Sequence, residues 1–367
     1  MKITGVETIP VSIPLKTDFG IAGGTQLLAE HVIVKLITDE GIVGLGEAAT
    51  MPKYGEETPQ SVVSTIKYYL EPALVGLDLS NIGMLHKVMD SEIHGNTYAK
   101  AAIDIAAYDA LGKYLDVPVY MLLGGKFMDK IPVGQSIGIK DPETAIKEVK
   151  EYVNEGFQSI KVKIGLDPAG DIERVGMIRE AIGFDIPLRV DANQGYSPDA
   201  AIKTLKAMEK FDLLLVEQPV PRWDIFGMAK VCDAIDTPVL ADETVYTPQD
   251  AINVVRMNAA DIINIKIMKP GGLYNSRKIA CIAEGANIPL AIGSMVEMGV
   301  GTAAGAHFAA SCSNVRYPCD VKGPSLMVDD ILDEPVVIKE GFTYVPEGPG
   351  LGVRLDEDKI EKYRINF

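Results

Sequence analysis

The amino-acid sequence predicts an α/β fold: a (β/α)7β TIM-like barrel with an N-terminal α+β capping domain that the C-terminal tail completes. The main observation is a ladder of five short apolar runs, each ending on a charged residue: Lys163, Asp191, Glu217, Asp242 and Lys266. Successive charged ends lie 28, 26, 25 and 24 residues apart, which suits one parallel strand followed by one crossover helix. The second observation is that residues 1–125 lack this ladder and have the pattern of a small sheet with helices.

The first 125 residues carry the pattern of the capping domain. Residues 1–7 alternate like a strand, and residues 32–37 and 42–46 are β-rich runs joined by the hairpin signal Thr38-Asp39-Glu40-Gly41. Residues 61–70 and 99–114 follow with the periodicity of amphipathic helices. We therefore expect helices packed on a small sheet.

Residues 126–329 carry the barrel pattern. Eight strand candidates begin at residues 131–137, continue through the five runs of the ladder, and end at residues 289–294 and 315–321. Seven helix candidates lie between them, at residues 142–157, 171–182, 197–211, 225–235, 247–259, 274–285 and 298–311. Eight strands with seven helices make a barrel that lacks its last helix. We expect residues 330–367, with short strands and turns, to pack on the capping domain.

The composition is that of a soluble globular protein and limits the classes of partner. The chain has 367 residues, 47% hydrophobic and 23% charged, and its formal charge of −16 disfavours nucleic acid and anionic membrane. The four cysteines form neither a zinc pattern nor a disulfide framework, so we expect free thiols. The N-terminus lacks a signal-peptide pattern and no apolar run reaches spanning length, which predicts a cytoplasmic protein.

The charged strand ends are the candidate chemistry. Because all strands of a closed barrel run in the same direction, these ends converge on one face, where such barrels carry their active sites. Asp191, Glu217 and Asp242 would then bring three carboxylates together, which requires a counterion. Ligands that are all oxygen favour Mg²⁺ or Mn²⁺ over zinc. The alternative is that the three carboxylates form salt bridges with lysines of the barrel.

Two lysines flank the three carboxylates around the ring of strands. Lys163 precedes them and Lys266 follows them, so the two would face each other across whatever the metal ion holds. Lys161 lies two residues before Lys163 on the same side of its strand, and its charge would favour the neutral, basic form of Lys163. We infer that Lys163 and Lys266 are acid/base groups. For either lysine alone, a structural salt bridge would be the simpler interpretation.

With these motifs the chain resembles the enolase superfamily and, within it, the muconate lactonizing enzyme subgroup, over nearly its whole length. The resemblance rests on Lys161-Val162-Lys163, Val190-Asp191-Ala192-Asn193-Gln194, Val216-Glu217-Gln218-Pro219, Ala241-Asp242-Glu243, Ile265-Lys266-Ile267-Met268-Lys269 and Gly293-Ser294-Met295-Val296-Glu297. It implies Mg²⁺ on Asp191, Glu217 and Asp242, acid/base chemistry by Lys163 and Lys266 on a small carboxylate substrate, and a homo-oligomer. A proton α to a carboxylate becomes removable when a metal ion stabilises the enediolate that forms.

Further residues are candidates for substrate contacts or for orienting the ligands. Those in the barrel motifs are Lys161, Asn193, Glu243 and Glu297, and Tyr54 belongs to one of two capping-domain loops, residues 16–24 and 51–57, that we expect to contact the substrate. On the last barrel strand, Asp320 fits the pattern of muconate cycloisomerases, whereas Lys322 departs from it. A lysine at that position would repel an ammonium group and attract an anion.

These features favour a muconate cycloisomerase-like enzyme that acts on a small mono- or dicarboxylate. The alternative is an amino-acid or dipeptide epimerase or an N-acylamino acid racemase of the same subgroup, with a dehydratase or o-succinylbenzoate synthase as a third class. A non-catalytic binding protein on this fold would be expected to lack one of the ligands or lysines. All five of these residues are present.

Overall fold

The computed structural model describes residues 1–21, 24–52 and 54–367, and it begins with an antiparallel sheet. Its strands, paired in chain order, are β1 (Ile3–Ile21), β2 (Gly24–Thr38) and β3 (Val43–Ala48). The predicted turn between β2 and β3 is present, and Gly41 adopts a φ of 73° there, which a residue without a Cβ tolerates best.

The hairpin of β1 and β2 is longer than the sequence analysis predicts. The two strands pair from Ile3 opposite Thr38 to Ile21 opposite Gly24, so most of the loop expected at residues 16–24 is β-structure. Ala22, Gly23 and Lys53 belong to the two loops expected to contact the substrate and lie outside the described residues.

Helices pack on one face of this sheet. They are α1 (Pro59–Thr65), which continues as a π-helical turn at Ile66–Leu70, α2 (Glu71–Leu74), α3 (Ile82–Glu92), α4 (Thr97–Leu115) and α5 (Val119–Leu122). Gly44 and Gly46 of β3 lie directly against the backbone carbonyls of Ala106 and Ala102 in α4, where a side chain would collide. The sequence analysis did not predict α3, which buries Leu85 and Met89 on one side.

The barrel sheet contains seven parallel strands in chain order. They are β5 (Gln135–Ile137), β6 (Ile160–Lys163), β7 (Leu188–Asp191), β8 (Leu213–Glu217), β9 (Val239–Ala241), β10 (Ile262–Ile265) and β11 (Leu290–Ile292). Residues 314–320 close the barrel: the Leu290 amide donates to Asn314 O, and the Gly134 amide donates to Cys319 O at the other edge. The (β/α)7β barrel that the sequence predicts is confirmed.

The seven predicted barrel helices are all present, each within a few residues of the expected range. They are α6 (Pro142–Asn154), α7 (Pro168–Ile182), α8 (Pro198–Met208), α9 (Ile225–Ala234), α10 (Pro248–Met257), α11 (Leu273–Gly285) and α12 (Gly299–Ala310). Five of them have an N-cap side chain that accepts hydrogen bonds from amides of the first turn. These N-caps are Asp141, Asp167, Ser197, Asp224 and Thr247. Proline follows four of these caps, as the first helical position favours.

The strand predicted at residues 131–137 is two strands in different sheets. β4 (Lys130–Pro132) pairs with the tail strand β13 (Phe342–Tyr344), which in turn pairs with β12 (Ile338–Lys339), whereas β5 belongs to the barrel. Val133 and Gly134 separate β4 from β5, and a side chain at Gly134 would collide with the Arg189 guanidinium and the Ser159 hydroxyl. A 3-10 helix at Gly323–Leu326 precedes the tail, which ends in α13 (Glu357–Tyr363). Arg364, just after α13, forms a β-bridge with Val11 of β1.

Two buried carboxylates of the capping domain bind the first turns of barrel helices. Glu47 of β3 accepts hydrogen bonds of 2.7 Å from the amides of Met298 and Gly301 at the start of α12. Asp104 of α4 accepts one of 2.5 Å from the Leu273 amide at the start of α11. Helix N-termini carry partial positive charge and free amides, so these contacts fix the capping domain over the barrel.

Two further features concern the helices and the cysteines. Among the described residues, no helix combines the length and apolarity that crossing a membrane would require. The four cysteines, Cys232, Cys281, Cys312 and Cys319, are free thiols, as the sequence analysis expects.

Candidate active site

The five charged residues of the ladder converge on one end of the barrel. Lys163, Asp191 and Glu217 are the last residues of β6, β7 and β8, and Lys163 pairs in register with Asp191, which pairs with Glu217. Asp242 and Lys266 each follow directly after the last residue of the next strands, β9 and β10. All five side chains are more than 90% buried.

Each carboxylate of the trio contacts lysine ammonium groups. Lys163 Nζ lies 2.5 Å from Asp191 Oδ2, and Lys161 Nζ lies 3.0 Å from Glu217 Oε2. Among the described residues, no three acidic, histidine or cysteine side chains are arranged around a common point that could hold a metal ion. In the structure the three carboxylates are paired with lysines, so a metal ion among them would require these lysines to move.

Asp242 binds two lysines at once. Lys266 Nζ lies 2.7 Å from its Oδ2, and Lys269 Nζ lies 2.7 Å from its Oδ1. Burial alone would raise the pKa of Asp242, but the charges of Lys266 and Lys269 outweigh burial and hold that pKa well below its usual value. Lys269 was not among the predicted site residues, although its position three residues after Lys266 was visible in the sequence.

The donor set fits an oxygen-preferring divalent cation. Burial, followed by the charge of neighbouring Asp191, raises the pKa of Glu217 to about 7. Burial, followed by the charge of Asp242, raises the pKa of Glu243 to about 8, and Glu243 Oε2 has no hydrogen-bond partner. Burial and the repulsion between neighbouring acids thus disfavour the ionised forms of Glu217 and Glu243, and a cation among Asp191, Glu217 and Asp242 would relieve that repulsion.

Tyr54 brings the capping domain into the site. Its hydroxyl donates a hydrogen bond of 2.7 Å to Asp242 Oδ2 and accepts one of 2.7 Å from Lys266 Nζ. Burial, followed by the charge of Asp242, raises the pKa of Tyr54, so the hydroxyl stays protonated. The same loop is tied down at Glu57, whose carboxylate accepts from the Tyr98 amide at the start of α4.

Asn193 joins two of the other candidates. Its Oδ1 accepts a hydrogen bond of 2.8 Å from Lys163 Nζ, and its Nδ2 donates one of 3.2 Å to Glu243 Oε1. Asn193 has a positive φ of 39°, which asparagine tolerates better than most residues. Asn193 therefore holds the Lys163 ammonium together with Asp191.

Glu297 lies behind the wall of the cavity. Its carboxylate accepts hydrogen bonds from the Ser294 hydroxyl and from the Met295 amide within its own turn. The turn places Ser294, Met295 and Val296 on the cavity instead, and Val296 has a φ of 62°, which is strained for a β-branched residue. The sequence carried no signal for this strained turn.

Asp320, in the segment that closes the barrel, and Lys322, two residues later, have different surroundings. Asp320 uses both carboxylate oxygens internally, with Oδ2 2.5 Å from Lys161 Nζ and Oδ1 3.0 Å from Arg189 Nη2. Lys322 lines the cavity, and its Nζ donates a hydrogen bond of 2.5 Å to Gln135 Oε1. Burial lowers the pKa of Lys322 to about 8. The charge of Asp320 opposes this shift, and the charges of Lys161 and Arg189 add to it.

The cavity that these residues line is small. It holds about 50 Å³ of open space between Tyr54, Lys163, Lys266 and Lys322, because the lysine–carboxylate contacts fill it. A cavity of about 510 Å³ lies beside it, between β1, α6 and the tail, and shares Leu326 with it. The larger cavity contains none of the strand-end carboxylates or lysines, so the chemistry belongs to the smaller one.

Known proteins resemble the chain over its whole length. Residues 3–124 match the family model "Mandelate racemase / muconate lactonizing enzyme, N-terminal domain", and residues 144–359 match "Enolase C-terminal domain-like". The N-succinyl-L-Arg/Lys racemase of Bacillus cereus is 37% identical, covering 100% of this chain and 98% of its own. The L-Ala-D/L-Glu epimerase of Bacillus subtilis is 38% identical, covering 96% of this chain and 97% of its own.

Solved structures resemble it equally closely. The muconate lactonizing enzyme from Pseudomonas fluorescens, complexed with muconolactone, has a TM-score of 0.97 at 34% identity and covers 99% of each chain. The dipeptide epimerase from Enterococcus faecalis, complexed with Mg and the dipeptide L-Leu-L-Tyr, has a TM-score of 0.92 at 38% identity, covering 96% of this chain and 99% of its own.

Proposed function

The chain belongs to the mandelate racemase/muconate lactonizing enzyme family of the enolase superfamily and is an isomerase of that superfamily, and we propose that it is a muconate cycloisomerase-like enzyme acting on a small dicarboxylate. The observation that carries the proposal is the approach of Lys163 and Lys266 to one cavity from opposite sides of three carboxylates. In this proposal one of the two lysines delivers or removes the proton at the carbon next to the substrate carboxylate.

We propose that Asp191, Glu217 and Asp242 hold Mg²⁺, for which Mn²⁺ could substitute. When bound, the cation would stabilise the negative charge that develops on the substrate carboxylate as the enediolate forms. Lys163 and Lys266 would then leave the carboxylates they contact and turn toward the substrate. The support is the crowding of buried oxygen ligands and a structural neighbour that is complexed with Mg.

Lys322 supports a substrate with a second anionic group. Its ammonium is buried at the cavity and donates a hydrogen bond to Gln135, while Asp320, two residues earlier, is already bound by Lys161 and Arg189. Lys322 would repel a substrate ammonium, and Asp320 is not available to bind that ammonium. Lys322 would attract a second carboxylate of the substrate. A dicarboxylate such as muconate meets this requirement, and a dipeptide with a free N-terminus does not.

A second candidate is an N-succinylamino acid racemase. A relative of that kind is 37% identical over the whole chain, and a succinyl group also carries a second carboxylate. The two flanking lysines would serve a racemase directly, since one would remove the α-proton and the other return one to the opposite face.

An NMR screen in D₂O separates these candidates. The enzyme with Mg²⁺ is incubated with cis,cis-muconate, N-succinylamino acids and dipeptides, and both new ring resonances and deuterium uptake at the α-carbon are followed. We expect a deuterated lactone from muconate and no turnover of dipeptides. Exchange into N-succinylamino acids alone would establish the second candidate, and efficient exchange into a dipeptide without turnover of muconate would overturn the argument from Lys322.

The remaining expectations concern partners and compartment. We propose a small-molecule substrate and no nucleic acid, because the formal charge of −16 would repel a polyanion. We also propose a homo-oligomer, by analogy with the superfamily. The four free thiols suit the reducing cytoplasm, where we propose that the enzyme works.

A further inference from the structure

We propose that Arg189 is a positioning residue: it fixes Asp320, and Asp320 in turn holds Lys161 against Glu217. The inference rests on the proposed function only in that Glu217 and Lys161 belong to the reacting site. Arg189 was not among the candidate residues of the sequence analysis, although it lies in the run of the ladder that ends at Asp191. Its assignment follows from a chain of four charged groups that crosses the barrel interior.

Three of the groups lie on barrel strands and the fourth, Asp320, lies in the closing segment, residues 314–320. Arg189 is on β7, two residues before Asp191, and its Nη2 lies 3.0 Å from Asp320 Oδ1. Asp320 Oδ2 lies 2.5 Å from Lys161 Nζ on β6, and Lys161 Nζ lies 3.0 Å from Glu217 Oε2 on β8. Arg189 is 1% exposed and also donates a hydrogen bond of 2.9 Å to Pro318 O.

Asp320 depends on Arg189 for its orientation. Each of its two oxygens binds a different cation, so neither oxygen can turn without losing a buried charge-assisted hydrogen bond. Arg189 is itself anchored to the main chain at Pro318, and its guanidinium is planar and permanently charged. Without Arg189, Asp320 would keep only Lys161, and that pair could turn together, drawing the lysine ammonium away from Glu217.

Arg179 provides a matched control. It is also buried, at 2% exposure, and it lies in α7 of the same barrel. Among the described residues, the acceptors of its guanidinium hydrogen bonds are all main-chain carbonyls. They belong to Gly183, Phe211, Ile186 and Asp212. Replacing Arg179 should therefore cost stability without changing the orientation of Lys161.

The kinetic test compares R189M, R189K and R179M with the wild type, on whichever of muconate or N-succinyl-lysine the enzyme turns over. We expect R189M to lower kcat by about 10- to 100-fold with KM changed by less than about threefold, because a misplaced group near the reacting site affects the chemical step. R189K should recover most of the loss, since it restores a cation to Asp320. R179M should lower the melting temperature while kcat stays at the wild-type value. Equal kcat in R189M and R179M would overturn the proposal.

A double-mutant cycle tests whether Arg189 acts through Asp320. If it does, R189M/D320N should lose no more kcat than D320N alone, whereas additive losses would show that Arg189 acts by another route and would overturn the proposal.

Crystal structures of R189M and R189K give a readout that needs no substrate. We expect the distance from Lys161 Nζ to Glu217 Oε2 to exceed about 4 Å in R189M and to return in R189K. An unchanged distance in R189M would overturn the proposal even if no substrate is turned over. If R189M does not fold, the structure of R189K still tests the proposal. Lys161 should contact Glu217 only if the lysine introduced by R189K contacts Asp320. A Lys161–Glu217 contact that persists without a contact to Asp320 would overturn the proposal.

Discussion

The hydroxyl of Tyr54, in the capping domain, donates a hydrogen bond of 2.7 Å to Asp242, the residue that follows barrel strand β9. Because the same hydroxyl accepts a hydrogen bond from Lys266, one side chain of the capping domain fixes both a proposed metal ligand and a proposed acid/base group. The active site is therefore complete only when the loop at residues 51–57 is in place over the barrel.

Replacing Tyr54 by phenylalanine tests this relationship. We expect kcat/KM to fall by about tenfold, equivalent to about 1.4 kcal/mol, because both hydrogen bonds are lost while the ring remains. Steady-state kinetics with thermal unfolding as a check on folding measures the effect. The control is Tyr69→Phe, since Tyr69 is 50% exposed on the π-helical turn. Wild-type kinetics in Tyr54→Phe would mean that the loop does not orient Lys266.

The two flanking lysines should be separable from folding. Lys163→Ala and Lys266→Ala are each expected to fold normally and to lose about 100-fold or more in kcat, because a general acid or base contributes about that factor. Lys203→Ala, an exposed lysine of α8, is the control for a change in charge. Full turnover by Lys266→Ala with loss in Lys163→Ala would leave Lys163 as the single acid/base group and favour a cycloisomerase over a racemase.

Metal binding can be measured without substrate. At a free Mg²⁺ concentration about 100 times the dissociation constant, a site on the folded state alone stabilises it by about 2.7 kcal/mol. We expect this stabilisation in urea unfolding of the wild type and its loss in Asp191→Asn and Glu217→Gln. Asp199→Asn, which changes an acid on the protein surface that is ion-paired to Lys230, should keep it. Persistence of the Mg²⁺ effect in both site variants would place the cation elsewhere.

His307 should make stability depend on pH. It is buried in α12, where Nδ1 accepts from the Tyr120 amide and Nε2 therefore donates to Leu351 O. Burial lowers the pKa of His307 to about 4, below the unfolded value of 6.5, so the unfolded chain binds more protons between these values. The His307 contribution to the free energy of unfolding is complete above pH 6.5 and falls by about 3 kcal/mol as the pH drops to about 4.

The comparison of His307→Gln with the wild type isolates this contribution from other acid effects. The difference in free energy of unfolding between the two proteins should be constant above pH 6.5 and should change by about 3 kcal/mol in favour of the variant by pH 4. His94→Gln, at an exposed histidine, should run parallel to the wild type. A constant difference from pH 7.5 to 4 for His307→Gln would contradict the lowered pKa.

The sequence by itself determined the barrel and the placement of its charged strand ends. Strand and helix periodicities are local properties, and a repeat of about 25 residues ending on Lys163, Asp191, Glu217, Asp242 and Lys266 leaves few ways to fold. The parallel direction of the strands then brings those ends to one face whatever the surrounding loops do. The caps at Asp141 and Thr247 likewise mark helix starts that local chemistry decides.

The tertiary structure decided which side chains meet once the strands were in place. Arg189 and Lys269 are charged residues inside the barrel motifs, but their partners Asp320 and Asp242 lie 131 and 27 residues away in the chain. The division of residues 130–137 between two sheets and the strained φ of Val296 also depend on neighbours distant in sequence. Local sequence patterns indicate which face of a strand or helix a residue occupies. The contacts between buried charges are fixed only by tertiary packing, because a buried charge must pair with whichever opposite charge the fold places next to it.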